Sequence, residues 1–148
     1  MAKIAVCGIG NRLRGDDAAG PLVIDMLAQS FPAENVLLLD CGTVPERFTS
    51  KIVSFSPDML IIVDAVDMGR PPGTVEQIPV SSIKRHFTST HKMPITMFIE
   101  YLQRSMPRIE IIFLGIQQKQ TLFGTEPGTE CERAVEQAAT KVGMYLNG

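Results

Sequence analysis

The chain has 148 residues, of which 45% are hydrophobic and 20% charged, and its formal net charge is -2. A domain usually holds about 100–200 residues and buries a substantial core at that size, so residues 1–148 are read as a single domain. The charge balance lacks the basic excess that nucleic acid or an anionic membrane attracts, and neither is expected as a partner.

The apolar stretch within Met1–Gly8 is too short for a signal-peptide core, and no later run approaches ~18 uninterrupted apolar residues. A cytoplasmic location is expected. Lys3–Cys7 is the first apolar run, followed by Val36–Asp40, Met59–Asp64 and Ile109–Ile116. All are short and mostly β-branched or leucine, as strands buried on both faces of a mainly parallel sheet are. Between them lie helical patterns. Pro21–Phe31 is mostly apolar, Pro45–Phe55 places Phe48, Ile52 and Phe55 on one side, and Ile95–Arg104 does so with Ile95, Phe98, Ile99 and Leu102. From Gly128 to Leu146, Cys131, Ala134, Val135, Ala138, Val142 and Tyr145 make one apolar stripe. Thr74–Val80 alternates in polarity, and Pro79 suits an edge strand. Strands alternating with helices predict an α/β fold of three layers: a mainly parallel, twisted sheet, right-handed and doubly wound, with helices on both faces.

Cys7, Cys41 and Cys131 are widely spaced and form no Cys-x-x-Cys pair, so they are read as buried free thiols. Cys41 lies at a strand end and is kept as a minor nucleophile candidate.

Ligands of open α/β sheets collect outside the carboxyl ends of the strands. Three of those places carry unusual chemistry: Gly8-Ile9-Gly10-Asn11-Arg12-Leu13-Arg14-Gly15-Asp16-Asp17, Asp40-Cys41-Gly42-Thr43 and Asp64-Ala65-Val66-Asp67. Gly8-x-Gly10 with Asp40 resembles a dinucleotide fingerprint, but position 13 should be glycine and is Leu13. The acids Asp16 and Asp17 would also oppose a phosphate at a helix start. One of them fits helix capping, and the other a functional role. Asp64 ends the most apolar strand, where burial raises a carboxylate's pKa unless a cation, metal or donor meets it. Asp67 is read as a loop residue. His86 lies among Lys84 and Arg85 as a solvated side chain, whereas His91 precedes a helix whose N-terminus favours neutral imidazole. On sequence alone, His91 fits a lone surface histidine better than a ligand. Two carboxylates and one imidazole at one sheet end would suit a transiently bound divalent ion.

Together, Gly8-x-Gly10-Asn11 through Asp16-Asp17-x-x-Gly20-Pro21, then Asp40-Cys41-Gly42-Thr43, Asp64-Ala65-Val66-Asp67-Met68-Gly69, Thr90-His91-Lys92-Met93-Pro94 and Phe113-Leu114-Gly115-Ile116-Gln117 resemble the hydrogenase maturation endopeptidases. The subgroup acting on formate-hydrogenlyase-type and related membrane-bound hydrogenases is the nearest likeness. The resemblance implies an aspartic-type endopeptidase that recognises a nickel-loaded [NiFe] hydrogenase large-subunit precursor and removes a short C-terminal extension. Nickel belongs to the substrate, and no organic cofactor is implied. By motif position, the catalytic and metal-contacting trio is Asp17, Asp64 and His91, with Asp16 left as the cap. Cys41 stands where relatives often have glycine, which offers nickel a sulfur contact. Residues 118–148 carry no usable motif. The other readings are a nickel-sensing hydrogenase chaperone without proteolysis, and a dinucleotide-binding module.

Overall fold

The computed structural model describes residues 1–83 and 95–148. Five strands form one sheet: β1 (Ile4–Ile9), β2 (Val36–Gly42), β3 (Met59–Val66), β4 (Val75–Ile78) and β5 (Glu110–Gln117). Their spatial order is β2-β1-β3-β5-β4, parallel throughout except for β4, which runs antiparallel to β5 at the edge. The edge position expected for Thr74–Val80 is where β4 lies, with Pro79 just past its end, where a missing N–H breaks no ladder bond.

Among the described residues the α-helices are α1 (Ala19–Ala28), α2 (Thr49–Phe55), α3 (Ile95–Ser105) and α4 (Thr129–Asn147). Each occupies a segment where apolar spacing predicted it. Two begin differently. A 3-10 turn, Gly15–Ala18, precedes α1, and another, Pro45–Phe48, takes the first part of the segment read as one helix over Pro45–Phe55.

Alternation along the strands sorts side chains into two cores. Ile4 and Val6 of β1 and Ile61, Val63 and Ala65 of β3 face α1 and α4, meeting Val23, Leu27, Ala134 and Ala138. Ala5, Cys7 and Ile9, with Leu60, Ile62 and Val66, face α2 and α3, meeting Ile52, Phe98, Ile99 and Leu102. The central strands are therefore covered on both sides, which is why they read as unbroken apolar runs. Among the described residues, no helix is long and apolar enough to cross a membrane.

Cys131 is a buried free thiol as expected, whereas Cys7 and Cys41 depart from that expectation. Cys7 and Cys41 lie on adjacent strands with Cα atoms 6.1 Å apart, and their sulfurs are joined as a disulfide. Strand pairing accounts for it: β1 and β2 run parallel with Cys7 opposite Leu39, and Cys41 points to the same face two residues on. Cys41 is buried with its sulfur against that of Cys7, a packed setting rather than the exposed one a nucleophile or a nickel contact needs. Cys131 alone is free, and it is buried.

Candidate active site

From β1 the chain first passes outward to β2, then returns to the other side of β1 as β3. The carboxyl ends of β1 and β3 thus flank the crevice where an open α/β sheet binds its ligands. At that point Ile9 pairs with Asp64. Asp64 is only 5% exposed, a carboxylate set into the central strands. The strand does not end there: β3 continues to Val66, and Asp64 also pairs with Gly115 of β5. By alternation its side chain shares the face of Ile62 and Val66, the face covered by α2 and α3.

The loop after β1 brings the second acid. Asp17 is partly exposed, and its Oδ2 accepts the backbone N–H of Asn11 at 2.8 Å, closing the loop on itself. Asn11 Oδ1 in turn accepts the N–H of Leu13 at 2.8 Å. The 3-10 turn holding Asp17 packs directly on β3. Two glycines allow this approach. Any Cβ at Gly10, whose φ is 151°, would collide with the Asp17 carbonyl, and one at Gly20 would strike the backbone of Ile9 and Val63. The space that a pyrophosphate would need in front of Gly10 is filled by the chain itself, which removes the physical basis of the dinucleotide reading.

Asp16 does not cap α1, whose N-cap, Ala18, makes no side-chain bond. Instead Asp16, 3% exposed, turns to the other end of the chain. Its Oδ2 accepts the backbone N–H of Lys119 at 2.8 Å, and its Oδ1 accepts that of Gly128, at the start of α4, at 2.9 Å. The Asp16 N–H donates to the Gln120 carbonyl at 2.8 Å, and its own carbonyl accepts the Cys131 thiol. Burial beside this carboxylate pushes the Cys131 thiol up to about 12, desolvation being the main cause. Residues 118–128, which carry no motif, are therefore bonded to the loop after β1. A buried carboxylate needs donors, but nothing in the sequence says that they lie more than a hundred residues away.

Arg12 was not singled out by sequence. Its guanidinium bonds Asp25 of α1 in bidentate fashion, at 2.7 and 2.8 Å, and reaches Asp40 of β2 at 2.9 Å. Asp40 Oδ1 also accepts the N–H of Gly42 at 3.1 Å. The Arg12 hydrogen bond lowers the Asp25 carboxyl below its usual range, and the two acids raise Arg12. The loops after β1 and β2 are thereby clipped together.

The structure brings Asp17 and Asp64 to the carboxyl end of the central strands. His91 and His86 lie outside the described residues, and among the described residues no three His, Cys, Asp or Glu side chains converge as a metal site. What the described part supplies is a buried acid on the central strand and a second, partly exposed acid on the loop packed against it. α3 begins at Ile95, shortly after His91 in the chain.

Residues 21–143 match the family model described as hydrogenase maturation protease. The chain is 39% identical over 118 residues to the hydrogenase 3 maturation protease of Escherichia coli K12, covering 79% of this chain and 73% of that one. Its structure superposes on the [NiFe] hydrogenase maturation protease HycI of Thermococcus kodakarensis KOD1 with a TM-score of 0.90 and 32% identity, over 99% of this chain and 94% of the other. The endopeptidase HycI of Escherichia coli gives 0.83 and 34% identity over 94% and 88%. The fold, the order of the motifs and these likenesses agree, and the chain belongs to the hydrogenase maturation protease family.

Proposed function

We propose that this protein is the endopeptidase that removes the C-terminal extension from the nickel-loaded precursor of a [NiFe] hydrogenase large subunit. The observation that carries the reading is Asp64, a carboxylate almost wholly buried on a central strand at the switch point, beside the loop that holds Asp17. A carboxylate at the carboxyl end of a central strand stands where an open α/β sheet meets its ligand. Nickel already seated in the precursor is the ligand of this reading. Asp17 and Asp64 offer it carboxylate oxygens and His91 an imidazole nitrogen, a mixed oxygen and nitrogen set suited to a divalent ion with open positions.

Contact with the ion seats the adjoining peptide bond in the crevice. Water is activated by one of two routes, a carboxylate of the set acting as general base or the ion polarising the scissile carbonyl and lowering the water's pKa; its oxygen adds to the carbonyl, and its proton passes to the leaving amine as the C–N bond breaks. This use of aspartate differs from the paired-carboxylate proteases, in which two acids share a proton at hydrogen-bonding distance. In this reading the protein acts on the precursor in the cytoplasm, with neither nucleic acid nor a membrane as partner.

The test is to incubate the nickel-loaded precursor with the wild-type protein, Asp17→Asn and Asp64→Asn, and to read intact masses. Wild type should release one C-terminal segment, and each variant should be slower by at least ~10²-fold, the lower end of what general acid–base groups supply. An intact precursor in every sample, with wild type bound to it, would make the protein a nickel-sensing chaperone instead.

A further inference from the structure

The loop after β1 and the segment after β5 form one surface. Leu13 accepts the Gly124 N–H at 2.7 Å, Gly15 donates to the Thr125 carbonyl at 2.9 Å, and Arg14 bridges to Thr125 in parallel. With the Asp16 bonds to Lys119 and Gly128, the two segments are joined along their length. Fixed backbone of this kind presents side chains rather than hiding them. Leu13 is 59% exposed, Leu122 65% and Phe123 66%. Arg14 sets its guanidinium over the Phe123 ring at 5.7 Å and has no salt bridge among the described residues.

Single exposed apolar side chains are ordinary, but three large ones on two bonded loops make a patch of the sort that marks an interaction site. Long irregular segments held in place are also where binding function concentrates. The position is specific. Leu13 lies in the same short loop as Asp17, and Leu122 and Phe123 follow β5, whose Gly115 pairs with Asp64. A macromolecule that delivers a peptide bond to these acids must lie against the edge from which both loops rise.

We propose that Leu13, Leu122, Phe123 and Arg14 form a docking surface for the hydrogenase large-subunit precursor, taking an apolar segment of it over the three hydrophobic side chains and a carboxylate at Arg14. The proposal rests on the endopeptidase reading for its occupant. The patch fits the precursor on two grounds: it continues the loop that holds Asp17, and its one cation is unmatched within the described residues. Apolar anchors of this kind dominate binding energy, with a flanking charge setting orientation and encounter rate.

The experiment immobilises wild type, Leu122→Ser/Phe123→Ser and Arg14→Gln, and measures the Kd of the nickel-loaded precursor by biolayer interferometry, with cleavage followed in parallel by mass. All three proteins should share one urea midpoint, because the altered side chains are exposed. The double variant should bind at least tenfold more weakly. Arg14→Gln, which leaves the apolar trio in place, should bind about threefold more weakly and lose part of the salt dependence of binding. Equal Kd values for wild type and both variants, with wild-type cleavage intact, would overturn the docking surface alone. A wild type that binds without cutting, with the variants weakened, would overturn the proposed proteolysis and leave the surface standing. Failure of wild type to bind would overturn both.

Discussion

The carboxylate of Asp16 accepts the backbone N–H of Gly128 at 2.9 Å, so the first loop of the chain holds the start of its last helix. The same side chain accepts Lys119, which makes Asp16 the fastening between the loop after β1 and the segment after β5. Removing it leaves two part-buried N–H groups without this acceptor, and hydrogen bonds to a charged group contribute about 1.5–3 kcal/mol each. Asp16→Ala should therefore lose about 2–4 kcal/mol in urea unfolding. Loss of processing without loss of stability would move Asp16 from the scaffold to the chemistry.

A smaller effect is expected at Arg12. Its partners Asp25 and Asp40 are substantially exposed, so the pairs are screened and each contributes about 0.2–1 kcal/mol. Arg12→Ala should cost about 1 kcal/mol at neutral pH. Because Arg12 holds the Asp25 carboxyl below its usual range, this contribution is present above the ordinary carboxylate pKa and is lost as the pH falls through the lowered folded value. Unfolding curves of wild type and Arg12→Ala should converge in acid; a gap that stayed constant would show that packing, not charge, is lost.

Cys131 supplies a prediction of opposite sign. Its thiol is pushed up to about 12 in the fold, above the value of a free thiol, so the folded state favours the protonated form. The contribution is complete below the ordinary thiol pKa and is lost as the pH rises toward about 12. Native protein should leave Cys131 unalkylated by iodoacetamide at pH 8, with reaction only after unfolding. Rapid labelling of the native protein would contradict the burial described.

His91 is tested by its ligand. Titration of His91→Ala with nickel or cadmium should show weaker binding than wild type, whereas His86→Ala should leave it unchanged. Identical heats for wild type and His91→Ala would remove His91 from the trio.

Much of the layer order was legible because central strands covered on both faces must be continuously apolar, as Leu60–Val63 are, and because helix stripes such as that of Cys131 to Val142 have one period. Asp64 stood out for the same reason: an acid in such a strand is costly unless used. The roles of Asp16 and Arg12 were hidden, since their partners are distant in sequence and any acid beside a helix start passes as a cap. The Cys7–Cys41 pairing depends on strand neighbours and register, which spacing along one chain does not contain. Leu13 was visible only as the residue that breaks a glycine fingerprint; its exposure beside Leu122 and Phe123 comes from the backbone bonds between loops.

In the proposed function, nickel in the precursor gates the cut made at Asp17 and Asp64. The most direct measurement compares nickel-loaded and nickel-free precursor, each incubated with wild-type protein, by intact mass, with a free peptide of the tail sequence as a third substrate. Loss of a single C-terminal segment from the nickel-loaded precursor alone is the predicted result. Equal cleavage of the nickel-free precursor, or cleavage of the free peptide, would contradict it.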